Sequence, residues 1–85
     1  MKVLVEEKEN EGLESLMGQR VLLMCANYFY TGKLVGVNTE CVKLVDGGIV
    51  YETGSWDSED WQDYQAISGD IYVNKNFIES FGVRK

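Results

Sequence analysis

T-G-K-L-V-G-V-N-T-E-C-V-K-L-V, the sequence of Thr31–Val45, is the stretch that decides the predicted fold. Two runs rich in β-branched and apolar residues flank a polar break at 38–40, which predicts a strand, a tight turn and an antiparallel return strand. Gly32 and Gly36 lie on one face of the first strand. Glycines there let a strand bend sharply or let another backbone approach, as a small, strongly curved barrel requires.

Further strand signals surround this hairpin. The run 20–26 is almost continuously apolar, as in a well-covered central strand, and the glycine pair at 47–48 is a strong turn signal. The predicted strands are Arg20–Ala26, Phe29–Val37, Cys41–Asp46, Ile49–Thr53, Gly69–Asn74 and Phe77–Gly82.

The N-terminal part of the chain predicts a tail at 1–10 and one short helix. Asn10 is a suitable N-cap, and Gly18 is a natural C-terminal stop. The apolar residues on one face of this helix are Leu13, Leu16 and Met17. The predicted fold class is therefore mainly β, with a short N-terminal helix followed by a strongly bent five-stranded antiparallel barrel.

An acidic, aromatic segment at 54–66 interrupts the strand pattern and predicts a variable loop. Its four carboxylates are those of Asp57, Glu59, Asp60 and Asp63. They lack the glycine and the terminal glutamate of a calcium loop, so we expect no metal site here. The predicted loop is solvated, with its Trp rings packed against the barrel.

The charge of the chain is concentrated in two segments. The net charge is −6, of which residues 1–14 contribute −3 and residues 54–65 contribute −4. The remainder carries a net +1, so the body of this single domain, 1–85, is close to neutral and does not exclude nucleic acid as a partner. A chain of 85 residues is marginally stable alone and benefits from self-association.

Composition also limits location and chemistry. No apolar run is long enough to span a membrane and no signal-peptide core is visible, so we expect an intracellular, cytoplasmic protein without membrane contact. Cys25 and Cys41 lie in apolar runs and are expected to be reduced and buried. With no histidine and no convincing nucleophile–base pair, we expect no metal, no cofactor and no enzymatic activity.

The order of elements resembles the Sm/LSm family, including its bacterial Hfq branch, and in particular the divergent Sm-like proteins of marine phage. Gly32–Asn38 is similar to the first Sm signature, and Val73–Phe81 has the spacing of the second. Lys75 falls where the Hfq-type pattern has its lysine. The resemblance implies an Sm-like (SH3-type) barrel and a homo-oligomeric ring of roughly five to seven subunits around a pore.

The departures from the family pattern argue against its strict uridine recognition. Asn38 replaces the aspartate, Val42 stands where an asparagine reads the base, and Asn76 replaces a histidine. What the resemblance still implies is an amide-rich site for RNA or single-stranded DNA at the pore rim, with Lys75 on phosphate. The candidate residues of this two-turn site are Asn38, Thr39, Asn74, Lys75 and Asn76.

Several alternatives stay open at this point. Asn38 and Thr39 are equally typical of ordinary turn chemistry, and the alternative function is a self-assembling barrel that binds a protein through its acidic Trp-containing loop. The aromatic residues Tyr28, Phe29 and Tyr30 suit either base stacking or packing at the barrel rim. A further set suits either the barrel core or a subunit interface: Tyr72, Phe77 and Phe81.

Overall fold

The computed structural model describes residues 11–57 and 60–83, and the predicted tail at 1–10 lies outside this part of the chain. Six strands are present among the described residues: β1 Arg20–Cys25, β2 Phe29–Val37, β3 Cys41–Glu52, β4 Asp63–Ala66, β5 Ile71–Asn74 and β6 Ile78–Val83. Two 3-10 turns, Leu13–Leu16 and Lys75–Phe77, complete the elements.

The strands form one open antiparallel sheet. Its order is β4-β3-β2-β1-β6, and β5 pairs with β3 as well. β5 pairs with Cys41–Leu44 and β4 with Gly48–Glu52, while β2 pairs with β3 along most of its length. Since a strand has two edges, β4 and β5 lie one after the other along the edge of β3 opposite β2. The mainly β class is confirmed.

The core is built by the alternating residues of the predicted hairpin and by β1. In β3, Val42 and Leu44 are fully buried, and in β5 their partners Val73 and Ile71 are buried too. The buried hydrophobic cluster consists of Val21, Leu23, Cys25, Leu34, Val42, Leu44, Ile71 and Val73. This period-two burial is what the apolar spacing predicts for strands covered on one face.

The two glycines of β2 lie where the sheet is bent. The register of β2 against β3 shifts between Thr31 and Lys33 and again between Leu34 and Gly36. A Cβ on Gly32 would come within 3.0 Å of the Val45 carbonyl oxygen, so the strands approach closely there. The predicted bends at Gly32 and Gly36 therefore coincide with β-bulges, which increase the local twist.

The predicted turn at 46–48 is wrong, because β3 continues through it. Asp46 has φ 52° and forms a bulge opposite Gly32, and the Arg20 guanidinium donates to its carbonyl oxygen over 2.9 Å. The glycines serve close packing instead. A Cβ on Gly47 would overlap the carbonyl oxygen of Thr31 in β2, and a Cβ on Gly48 that of Gln65 in β4.

The predicted N-terminal helix is reduced to one 3-10 turn. Its N-cap is Gly12 at φ 80°, and the predicted cap Asn10 lies outside the described residues. Gly18, at φ +86°, ends the segment and donates its N–H to the Leu34 carbonyl of β2 over 2.7 Å. The 3-10 turn itself has four residues, enough to place Leu13 and Leu16 against the core.

The predicted loop at 54–66 contains a strand, β4, and β3 runs through two of the six predicted strands, so the sheet again has six strands, although not the predicted ones. All four residues of β4 are exposed, so the strand carries no apolar alternation that the sequence could reveal. Its order comes from backbone pairing with β3. Trp56 is 66% exposed, so the prediction that this ring packs against the barrel is wrong, and Glu59 lies outside the described residues.

Candidate nucleic-acid interface

The five residues of the two-turn site lie in two connections that touch each other. β5 ends at Asn74, opposite Cys41 at the start of β3, so the 3-10 turn after β5 lies beside the turn before β3. The Lys75 ammonium donates to the Asn38 carbonyl oxygen over 3.1 Å. The Lys75 backbone N–H donates to the Glu40 carbonyl oxygen over 2.9 Å. Residues almost forty positions apart are thereby joined in one small surface.

The two asparagines at the strand ends organise the turns with their side-chain oxygens. Asn38 Oδ1 accepts from the backbone N–H groups of Glu40 and Cys41, both over 2.8 Å. Asn74 Oδ1 accepts from the N–H of Asn76 over 2.9 Å and so caps the second 3-10 turn. This is the turn chemistry expected for Asn in such positions. Because only the oxygens are engaged within the described residues, each Nδ2 group remains able to donate outward.

The remaining side chains differ in exposure. Thr39 and Asn76 are exposed and make no side-chain hydrogen bond within the described part of the chain. Lys75 is half-buried, and the Glu40 carboxylate in the facing turn carries the opposite charge. The surface is thus rich in N–H donors and carries one cation, Lys75, and one anion, Glu40. Such a set of donors suits phosphate oxygens and the acceptor atoms of bases.

A second cation lies near the two-turn site. Lys43 in β3 forms an ion pair with Asp70 at 3.3 Å, and its ammonium lies 5.7 Å from the centre of the Tyr72 ring. The hydrogen bond and the charge of Asp70 raise the pKa of Lys43, which therefore stays protonated at neutral pH. Lys33 in β2 is exposed.

Aromatic side chains line two hollows that were not predicted from the sequence. The lysine-side hollow, about 310 Å³, is lined by Cys25, Ala26, Asn27, Tyr28, Tyr30, Tyr72, Val73, Asn74 and Phe77. The glutamate-side hollow, about 400 Å³, is lined by Asn27, Tyr28, Phe29, Val50, Tyr51, Glu52 and Thr53. Tyr51 and Asn27 are residues that the sequence analysis did not single out. The sequence offered one hint of this surface, since Tyr51 lies near the end of the predicted strand Ile49–Thr53.

The two cysteines are free thiols. Cys25 is buried in the wall of the lysine-side hollow, whereas Cys41 is half-buried. Burial, and then the nearby negative charge of Glu79, raise the pKa of the Cys25 thiol, so it is neutral at physiological pH. Cys25 therefore belongs to the apolar lining of the hollow rather than to a reactive site.

Neither a metal-binding cluster nor a membrane-spanning helix is present among the described residues. Within residues 11–57 and 60–83, no group of acidic residues and cysteines is arranged to hold a metal ion. None of the helices in this part of the chain has the length and hydropathy needed to cross a membrane. Comparison with the models of known protein families and with curated proteins gives no match.

Proposed function

We propose that this chain is the subunit of an Sm-like ring that binds RNA or single-stranded DNA at the two-turn site, and that it acts by binding rather than catalysis. The observation that carries the proposal is the contact between the two turns. Lys75 donates from its side chain to Asn38 and from its backbone to Glu40, so amides and a cation are held together. In a ring, each copy of this surface lies at the rim of one pore.

The proposed subunit fold is a strongly bent five-stranded barrel of Sm type. Support comes from β4 and β5, which share one edge of β3 so that six strands fill five positions across the sheet. Register shifts in β2, β3 and β6 bend the sheet at several points. Curvature of this kind is what closure of a small sheet requires.

Ring formation is supported by the outer strands of the sheet. Among the described residues β6 pairs with β1 alone, and β4 and β5 each pair with β3 alone, so each of these three strands has one edge without a partner. β6 exposes 40% of Phe81 and 55% of Val83. Unpaired edges favour addition of another strand, and head-to-tail addition of identical copies closes a ring if the rotation permits. We propose roughly five to seven copies.

Binding at the two-turn site is proposed to combine a weak phosphate contact with modest base preference. Each Lys75 contributes one cation, and repetition around the ring multiplies its effect. The Nδ2 groups of Asn38 and Asn74 and the exposed side chains of Thr39 and Asn76 then contact base edges. Without the family's aspartate and histidine, the site is not expected to select uridine strictly.

Titration of fluorescently labelled RNA and single-stranded DNA with Lys75→Glu tests the proposal. We expect this variant to lose binding while its oligomeric mass stays that of the parent, because the Lys75 ammonium is at the site and not at a strand edge. Lys33→Glu is the matched control, since it reverses the same charge on an exposed strand position. Lys75→Glu binding as tightly as the parent would contradict the proposal.

A second candidate function is the binding of a protein partner through the acidic segment. It is favoured by Trp56, which is 66% exposed beside Asp57. An indole left in solvent next to carboxylates suits a partner with basic and apolar residues. Salt dependence separates the two candidates, because phosphate contacts weaken steeply with salt whereas contacts of an aromatic ring do not.

A further inference from the structure

The lysine-side hollow is an aromatic cavity beside the two-turn site, with which it shares Asn74. It contains large rings that the fold leaves in solvent: Tyr28 is 47% exposed, Tyr72 is 62% exposed and Phe77 is 61% exposed. Three large rings around one hollow are more than isolated exposed residues, and they offer flat apolar faces to a ligand.

One of these rings is fixed in place by a neighbour. Tyr28 meets Tyr51 edge-on, with ring centres 5.9 Å apart and planes at 90°. Because Tyr28 forms a wall of both hollows, this contact sets the boundary of the lysine-side hollow. A ring held in this way loses little conformational freedom when a ligand stacks on it.

Charge distinguishes the two hollows. Tyr72 has the Lys43 ammonium 5.7 Å from its ring centre, and Asn74 in the wall of the same hollow directly precedes Lys75. The other hollow has the Glu52 carboxylate in its wall. The lysine side, where Lys43 and Lys75 offset the charges of Asp70 and Glu79, therefore suits an anionic ligand with flat rings better than the glutamate side.

We infer that the lysine-side hollow binds one unpaired nucleobase, stacked on Tyr72 or Phe77, with its phosphate near Lys43. Its volume of about 310 Å³ is at the small end of ligand sites, which suits one base rather than a larger group. Lys43 is available because its pair with Asp70 is at the surface, both side chains being more than a third exposed. A phosphate oxygen then competes with that carboxylate.

Side-chain amides in the wall of the lysine-side hollow also suit a nucleobase. Asn27 has no hydrogen bond from its side chain within the described residues, and Asn74 keeps its Nδ2 group free of partners there. Both amides line the hollow, and both can pair with base edges. Since Asn74 belongs to the two-turn site and to the hollow, a single strand bound at the first can place its next base in the second. The inference thus rests on the proposed function and extends it.

The test compares an oligothymidylate with an abasic strand of the same length, both labelled and followed by fluorescence anisotropy. Tyr72→Ala and Phe77→Ala remove ring faces from the hollow, and Trp56→Ala removes an exposed ring elsewhere. We expect either hollow variant to weaken binding of oligothymidylate roughly 5- to 150-fold, the loss of one stacked base. The hollow variants are expected to bind the abasic strand as the parent does, and Trp56→Ala is expected to bind oligothymidylate as the parent does.

Crosslinking gives a readout that does not depend on variants. An oligonucleotide carrying 5-iodouracil, irradiated on the parent protein, is expected to attach to Tyr28, Tyr72 or Phe77. Attachment elsewhere alone overturns the inference. Equal binding of the two strands by the parent protein also overturns the inference, as does binding of oligothymidylate by both hollow variants as tightly as by the parent. If Lys75→Glu still loses binding in that case, the proposed function survives. A parent protein that binds neither strand overturns both.

Discussion

The two halves of β3 are held in the sheet by different means. Residues 41–44 pair with β5 and bury Val42 and Leu44 against the core, so this half is fixed by side-chain packing. Residues 48–52 pair with β4, whose four side chains are all exposed. There Val50 is buried as well, but β4 adds no buried side chain, and the order depends largely on backbone pairing and on Gly47 and Gly48, where neighbouring backbones come too close to leave room for a Cβ.

The two-turn site and the acidic segment lie at the ends of these two halves. The packed half carries the two-turn site at its end, and its rigidity keeps Lys75 against Asn38. The other half leads into the acidic segment, whose strand β4 pairs with β3 and has exposed side chains. A binding site that depends on hydrogen-bond geometry belongs on the packed half. The acidic segment is better suited to a long-range electrostatic role.

Truncating a core residue of the packed half is expected to have the largest effect. Leu44→Ala leaves a cavity in the buried cluster and should lower the free energy of unfolding by about 2–5 kcal/mol. Val35→Ala in β2, where the side chain is 38% exposed, should cost about 0.5 kcal/mol or less. Urea unfolding followed by circular dichroism measures both. Equal losses in the two variants would show that packing does not hold this half.

The glycine pair tests the other half. Gly47→Ala collides with β2 and Gly48→Ala with β4, so each should destabilise the fold by about 1–3 kcal/mol. Gly36→Ala is the matched control, since its Cβ meets only the Lys43 Cβ at an ordinary 3.4 Å. Thermal unfolding of the three variants measures these differences in stability. A Gly48→Ala protein as stable as the parent would mean that β4 does not approach β3 as described.

Neutralising the acidic segment is expected to have the smallest effect. Changing Asp57, Glu59, Asp60 and Asp63 to their amides removes four negative charges from each copy. Long-range repulsion of phosphate then falls, and nucleic-acid binding at low salt should tighten roughly threefold to tenfold. The difference should vanish near 1 M salt, where the Debye length is about 3 Å. Weaker binding by the variant would show that the segment itself contacts the ligand.

Sequence reasoning succeeded where burial leaves a periodic signal. The alternation in Cys41–Leu44 and the unbroken run of β1 predicted strands that the structure contains. It failed at Gly47-Gly48, because a glycine pair that permits close approach of two strands has the same composition as a turn. It also failed at β4, since a strand with four exposed residues has no apolar face to detect.

The site was foreseeable in part. Asn38 and Asn74 are typical strand-end residues, and their turns were predicted from composition. The hydrogen bond from Lys75 to Asn38 joins positions far apart in the chain, so only the register of β5 against β3 brings them together. The lysine-side hollow escaped prediction because its walls come from β1, β2 and β5, and no spacing in the sequence links Tyr28 to Tyr72.

Light scattering of the purified protein at micromolar concentration tests the central claim most directly. In the proposed ring, the free edges of β4 and β6 join between copies, so that the two-turn site is repeated around a pore. For a chain of 9.7 kDa, we predict a single species of about 50–70 kDa, which corresponds to roughly five to seven subunits. A monomer with the mass of one chain would contradict the proposed ring, and with it the repeated site on which the proposed nucleic-acid binding depends.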